Sequence, residues 1–110
     1  MMQNQYVVVL VTAPTKSLAE QIAKTLLDQD LIACANLMAP VQSCYTWQGE
    51  TKADEEVLML LKTRADLFSD KLVPAIQALH PYEVAEIIAL PILMGAPDYL
   101  DWIEEVTSER

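Results

Sequence analysis

An α+β fold, four antiparallel strands with helices packed on one face, is the class that this sequence predicts. Three observations carry it. Tyr6 to Val11 is an uninterrupted β-branched run followed by an apolar stripe of helical spacing at Leu18, Ile22 and Leu26. A long extended segment, Leu31 to Gln48, comes back through a polar turn to the apolar run Val57 to Leu61. A second helical stripe, Phe68, Leu72, Ile76 and Leu79, then leads into another extended run. The 110 residues fit one domain, 1–110, with no internal repeat, linker or low-complexity stretch.

Each element has a local reason. The run Tyr6 to Val11 does not alternate, which predicts a central strand covered on both faces. Ser17 and Glu20 have the spacing of a capping box, and the helix that follows is expected to leave through Asp28 to Asp30, since aspartate tolerates the left-handed conformation. Pro40 cannot donate to a ladder, so the second strand is expected to be bent there and to lie at an edge. Beyond it Val41, Ser43, Tyr45 and Trp47 share one face, and Gly49 to Asp54 forms the turn of a long hairpin. Thr63 and Asp66 repeat the capping spacing ahead of the second helix, in which Pro74 predicts a kink or a short helix restarting near it. Pro81 ends that helix by disfavouring the α conformation at His80. Val84 to Leu93 reads as a fourth strand, with Pro91 placing it at an edge or bulge, and Pro97 opens a last helix. The order β-α-β-β-α-β with an extra C-terminal helix is that of a ferredoxin-like fold.

Seven Lys+Arg against sixteen Asp+Glu give a formal charge of −9, which repels phosphate backbones and excludes nucleic acid as a partner. Neither a basic leader before Tyr6 nor an apolar run long enough for membrane insertion is read from the sequence, so a cytoplasmic location is expected. With 53% hydrophobic residues and two glycines, so small a domain has more apolar surface than one core absorbs, and this predicts a homo-oligomer. Tyr45 and Trp47, on a hairpin too long for one core to cover, are the expected subunit contact.

Few residues offer chemistry. His80, the only histidine, either caps the second helix or joins Glu83 across Pro81 as a nitrogen and oxygen donor pair. Cys34 is either a small buried hydrophobe, a soft metal ligand, or a nucleophile if Lys62 or His80 lowers its pKa. Lys62, at a strand end, either holds an anion near the next helix or extends its charged head to solvent. Cys34 and Cys44, ten residues apart on one extended segment, are not expected to form a disulfide. The run Asp54 to Glu56 reads as a solvated turn, and Tyr99 and Trp102 as packing residues. No glycine-rich phosphate loop, Cys-x-x-Cys, His-Glu-x-x-His or serine elbow is present, so no enzyme class is read here. In a hairpin of this register Cys34 and Lys62 fall at one end of the sheet, and His80 and Glu83 at the other.

Thr12-Ala-Pro14, Cys34-Ala-Asn36, Ser43 to Gly49, Glu56 leading to Lys62 and Thr63, His80-Pro-Tyr-Glu83 through Ile87, Leu90-Pro-Ile92 and Tyr99 to Trp102 occur in an order that resembles the CutA divalent-cation-tolerance family. The resemblance covers nearly the whole chain. Ala85 stands where the family usually has proline, and Ala35 where it usually has valine. The resemblance implies a homotrimer of ferredoxin-like subunits, similar to the PII signalling proteins and linked to tolerance of copper and other divalent metals, with no enzymatic reaction. By motif position it implies Cys34, His80 and Glu83 as metal ligands, copper first, with Lys62, Tyr82 and Trp102 beside the same intersubunit cleft. Two other readings stand beside it: an enzyme using Cys34 or His80 on a small substrate, and a trimeric scaffold without a ligand.

Overall fold

The computed structural model describes residues 5–108; residues 1–4, part of the segment read as lacking a basic leader, lie outside them. Four strands, β1 (Tyr6–Ala13), β2 (Cys34–Trp47), β3 (Glu50–Arg64) and β4 (Ile87–Pro91), form one sheet in the order β2-β3-β1-β4. Both neighbours of β1 are antiparallel to it, so β3 and β4 run parallel to each other, as a split β-α-β unit requires. The helices are α1 (Lys16–Asp28), α2 (Val73–Leu79) and α3 (Pro97–Thr107). The ferredoxin-like order and the edge position of β4 follow the sequence expectation. Among the described residues no helix is long and apolar enough to cross a membrane.

The core lies on one face of the sheet, where Val7, Val9, Val11, Met59 and Leu61 meet Ile22, Leu26, Leu72 and Ile76. The other face corrects the expectation that β1 is covered on both sides. Tyr6, Val8, Leu10 and Thr12 are only half-buried there, because α1 and α2 both pack on the opposite side. Only α3 crosses to it, at one end, where the Arg64 guanidinium donates to the Thr107 hydroxyl at 3.0 Å and its Nε lies 3.7 Å from Glu104. An eleven-residue helix spans about 16 Å and leaves the rest open. Leu10 and Leu60 are flanked there by Ile88, Leu90 and Met38, which remain 49%, 50% and 52% exposed.

Several local expectations shift by a few residues. The cap of α1 is Thr15, whose hydroxyl accepts from the Leu18 N–H at 3.1 Å, and not Ser17. Asp30 takes the left-handed conformation at φ 57°, as the exit of α1 needs. Thr63 caps nothing: it is buried in β3 and its hydroxyl donates to the Leu31 carbonyl at 2.7 Å. A 3₁₀ turn (Ala65–Leu67) and a π turn (Phe68–Leu72) precede α2, which restarts with Pro74 in its first turn, where the missing N–H costs no helix bond.

The hairpin is tighter than the polar run 49–54 implies. Gln48 and Gly49 alone make the turn, with φ of 52° and 80°, and residues 50–54 pair as strand. The register slips between Met38 and Val41, around Pro40, so the face holding Cys34, Asn36 and Met38 continues as Val41, Ser43, Tyr45 and Trp47. Residues 41–47 and 50–56 pair only with each other, since β1 stops opposite Val57, and the hairpin therefore projects from the body. β4 is shorter than the predicted Val84 to Leu93. Its ladder with β1 stops at Val11, and the Thr12 carbonyl is taken by His80 instead.

Candidate functional site

The polar residues singled out from the sequence fall into two clusters on the open face. At one end Cys34 pairs with Lys62 across β2 and β3, and the Lys62 ammonium donates to the Asn36 side-chain carbonyl. The Cys34 thiol lies 3.7 Å from the same oxygen. Burial first, and then the neighbouring Cys34, raise the Tyr99 phenol above its ordinary value. Trp102 stacks on Tyr99 at 5.6 Å between ring centroids, so it belongs with Cys34 and not with Tyr82. Cys44 pairs with Ala53, about 30 Å further along the hairpin, and both cysteines are free thiols.

The second cluster lies at the other end, where α2 stops. His80 leaves the helix in an extended conformation and is buried. Its Nε2 lies 2.7 Å from the Thr12 carbonyl, which can only accept, while its Nδ1 lies 3.2 Å from the Tyr82 N–H, which can only donate. These partners fix the neutral tautomer with the proton on Nε2. The Tyr82 ring packs against the imidazole at 4.7 Å, and its hydroxyl donates to Glu56 at 2.8 Å. Glu56 is 7% exposed, which corrects its reading as part of a solvated turn; alternation along β3 puts it on the open face with Leu58 and Leu60, the register slip at Pro40 puts Val41 opposite it, and the Tyr82 hydroxyl bonds to it. Further out the Tyr45 hydroxyl donates to Asp54.

A cleft of about 630 Å³ opens between the base of the hairpin and the loop after α2. Thr12, Ser43, Tyr45, Trp47, Glu56, Tyr82, Glu83 and Glu86 line it. Lys62 and Trp102 do not, so of the three residues implied for a ligand cleft this one contains Tyr82 alone. Cys34, His80 and Glu83 do not form a chelating set within one chain. Among the described residues no three His, Cys, Asp or Glu side chains are grouped to hold an ion, and both His80 nitrogens are engaged by backbone.

The cleft has a measurable electrostatic signature. Burial, and then the Glu56 carboxylate, hold the Tyr82 phenol well above the ordinary tyrosine value. The folded chain therefore keeps this proton to higher pH than the unfolded chain does. Its stabilising contribution is complete below about pH 10 and is lost as pH rises beyond it. Tyr6, Tyr45 and Tyr99 are raised as well and act in the same direction. Denaturation midpoints are expected to fall above pH 10, and Tyr82→Phe to make that fall shallower. An identical alkaline fall in the two proteins would contradict the Tyr82–Glu56 contact.

Comparison with known proteins places this geometry. The model of the family described as CutA1 divalent ion tolerance protein matches residues 7–106. The divalent-cation tolerance protein CutA of Thermus thermophilus is 48% identical over 100 residues, covering 91% of this chain and 96% of that protein. Protein CutA of Mus musculus is 43% identical over 97 residues, and there this chain spans about half of the longer protein, 54%. The solved structure of a protein described as the periplasmic divalent cation tolerance protein CutA from Archaeoglobus fulgidus superposes with a TM-score of 0.90 at 37% identity, over 94% of this chain and 99% of that one. Near-complete coverage, in sequence and in backbone, extends the likeness well beyond the short motifs around Cys34 and His80, and the chain belongs to the CutA1 divalent ion tolerance protein family.

Proposed function

We propose that this protein works in the cytoplasm as a homotrimer of divalent-cation tolerance, taking up copper or a small ligand between subunits and acting in metal response rather than in catalysis. The observation that carries this reading is the open sheet face, on which Leu90 lies level with the Cys34–Lys62 cluster and Leu10, Leu60 and Ile88 lie between that cluster and the His80–Tyr82 cluster. Apolar area of this kind is stabilised by covering, and a neighbouring copy that covers it also brings one chain's Cys34 end toward another chain's His80 end. Tyr45 and Trp47 on the projecting hairpin are the expected contacts. The thiol of Cys34 favours copper over magnesium or calcium, which would depend on the carboxylate of Glu83 alone. His80 joins them only by releasing the Tyr82 N–H from Nδ1.

The test mixes Cys34→Ser chains with His80→Ala chains under conditions that exchange subunits. Mixed trimers are expected to recover copper binding that each parent lacks. No recovery at any mixing ratio would contradict a shared site.

A further inference from the structure

The last helix, α3, is fastened to the sheet chiefly through Arg64. Of its eleven residues only Ile103 and Thr107 are buried, against four of thirteen in α1, so apolar burial alone holds it weakly. Residues 92–96, which lead into it, belong to no helix or strand. Polar contacts at its C-terminal end make up the difference. Arg64, at the end of β3, donates from Nε to the Thr107 hydroxyl at 3.0 Å and from Nη2 to the Thr107 carbonyl at 3.0 Å. That carbonyl is one of the group that a helix end leaves unpaired, and α3 has no basic residue in its own last turn to serve it. Asp66, 2.9 Å from Nη1, and Glu104, 3.7 Å from Nε, hold the guanidinium in place. At the other end of α3 Tyr99 reaches the Cys34 thiol, and Trp102 stacks on Tyr99. Every one of these contacts lies within one chain, so the arrangement needs no neighbouring copy.

We propose that α3 is a strap, latched at its C-terminal end by Arg64 and closed at its N-terminal end by Tyr99 over Cys34, whose opening controls access to the Cys34 thiol. A segment that buries little apolar surface opens independently of the core, at a free energy below that of global unfolding. In α3 that free energy rests on the guanidinium, which loses a helix-end carbonyl and a buried hydroxyl together when the helix lifts. Residues 92–96 supply the hinge. Opening takes Tyr99 off the thiol and leaves Lys62 on Asn36, so access changes while the charge beside Cys34 does not. The inference goes beyond the reading above, since it concerns the thiol whatever the thiol meets.

The experiment measures two rates in the full-length wild-type protein, in Arg64→Ala and in Thr107→Val: amide hydrogen exchange, and alkylation of Cys34 by iodoacetamide relative to Cys44. Thr107→Val removes the acceptor of Arg64 Nε while keeping side-chain size and every charge, and it serves where Arg64→Ala loosens the whole fold. Exchange in residues 101–107 is expected to speed up at least about tenfold in Arg64→Ala and about threefold in Thr107→Val, with the amides of the β1–β3 ladder within about twofold of wild type. The Cys34 rate should rise by a similar factor in each variant. Cys44, a free thiol about 30 Å along the hairpin, is the reference and should not change. Exchange in α3 that is unchanged in both variants, or raised equally with the ladder in both, would overturn the latch. Faster exchange in α3 with the Cys34 rate unmoved would overturn the control of access.

Discussion

Ile88→Asp is expected to leave a folded chain that no longer assembles. Ile88 sits on β4 opposite Leu10, on the open face, and is half exposed within its own subunit. A carboxylate at that position meets water in the isolated chain, so the subunit should lose no more than about 0.5–1 kcal/mol, as surface substitutions usually do. Against another copy the same carboxylate is stripped of water among Leu10, Leu60 and Leu90, with the Lys62 ammonium occupied by Asn36. An unpaired buried charge costs several kcal/mol in each contact, enough to abolish association at micromolar concentration. Circular dichroism should report a native chain and light scattering the mass of a monomer. A mutant that keeps the wild-type assembly would show that the open face is not the interface.

The second large effect is expected at His80. Replacing it with alanine removes the donor to the Thr12 carbonyl and the acceptor for the Tyr82 N–H, both in a partly buried position, and takes away the ring on which Tyr82 packs. Two lost hydrogen bonds with their partners left unpaired amount to about 3 kcal/mol. His80→Gln, which keeps one donor, should recover part of it. Urea denaturation at fixed protein concentration measures the difference, and a loss below about 0.5 kcal/mol would contradict the bridging role of the imidazole. The same argument bears on metal work, because lost copper binding in a His80→Ala chain combines a missing ligand with a loosened cleft. Glu83→Gln, at an exposed loop position, is the cleaner probe of metal affinity.

The element order was legible because periodicity and proline act locally. The stripe at Leu18, Ile22 and Leu26, the break at Pro74 and the stop before Pro81 need no tertiary information. What the sequence hid was decided across the sheet. Glu56 reads as one more solvated acid until Val41 is paired opposite it and Tyr82, from the loop after α2, bonds to it. The run Tyr6 to Val11 has the composition of a strand buried on both faces, yet this chain covers only one of them. The assembly proposed here would supply the second covering layer from another copy.

For the site, the hairpin and the parallel fourth strand of a split β-α-β unit together were enough to separate Cys34 and Lys62 from His80 and Glu83, and the structure keeps them at opposite ends. Periodicity gave Trp102 only as a packing residue, and the resemblance alone set it beside the cleft of Cys34, since no local pattern tells that α3 crosses to the far side of the sheet. His80 was readable as either a helix-ending residue or a ligand. Its two backbone partners, Thr12 and Tyr82, decide for the first within one chain, and the carbonyl of Thr12, 68 positions away, leaves no sequence signal.

The account depends above all on the open sheet face being covered by other copies of the same chain. Sedimentation equilibrium of the unmodified protein at micromolar concentration measures this directly. A single species of three times the 12.3 kDa chain mass is the predicted result. A stable monomer across that range would contradict the account, because the apolar face would then stand in water and the two clusters would have no means of meeting.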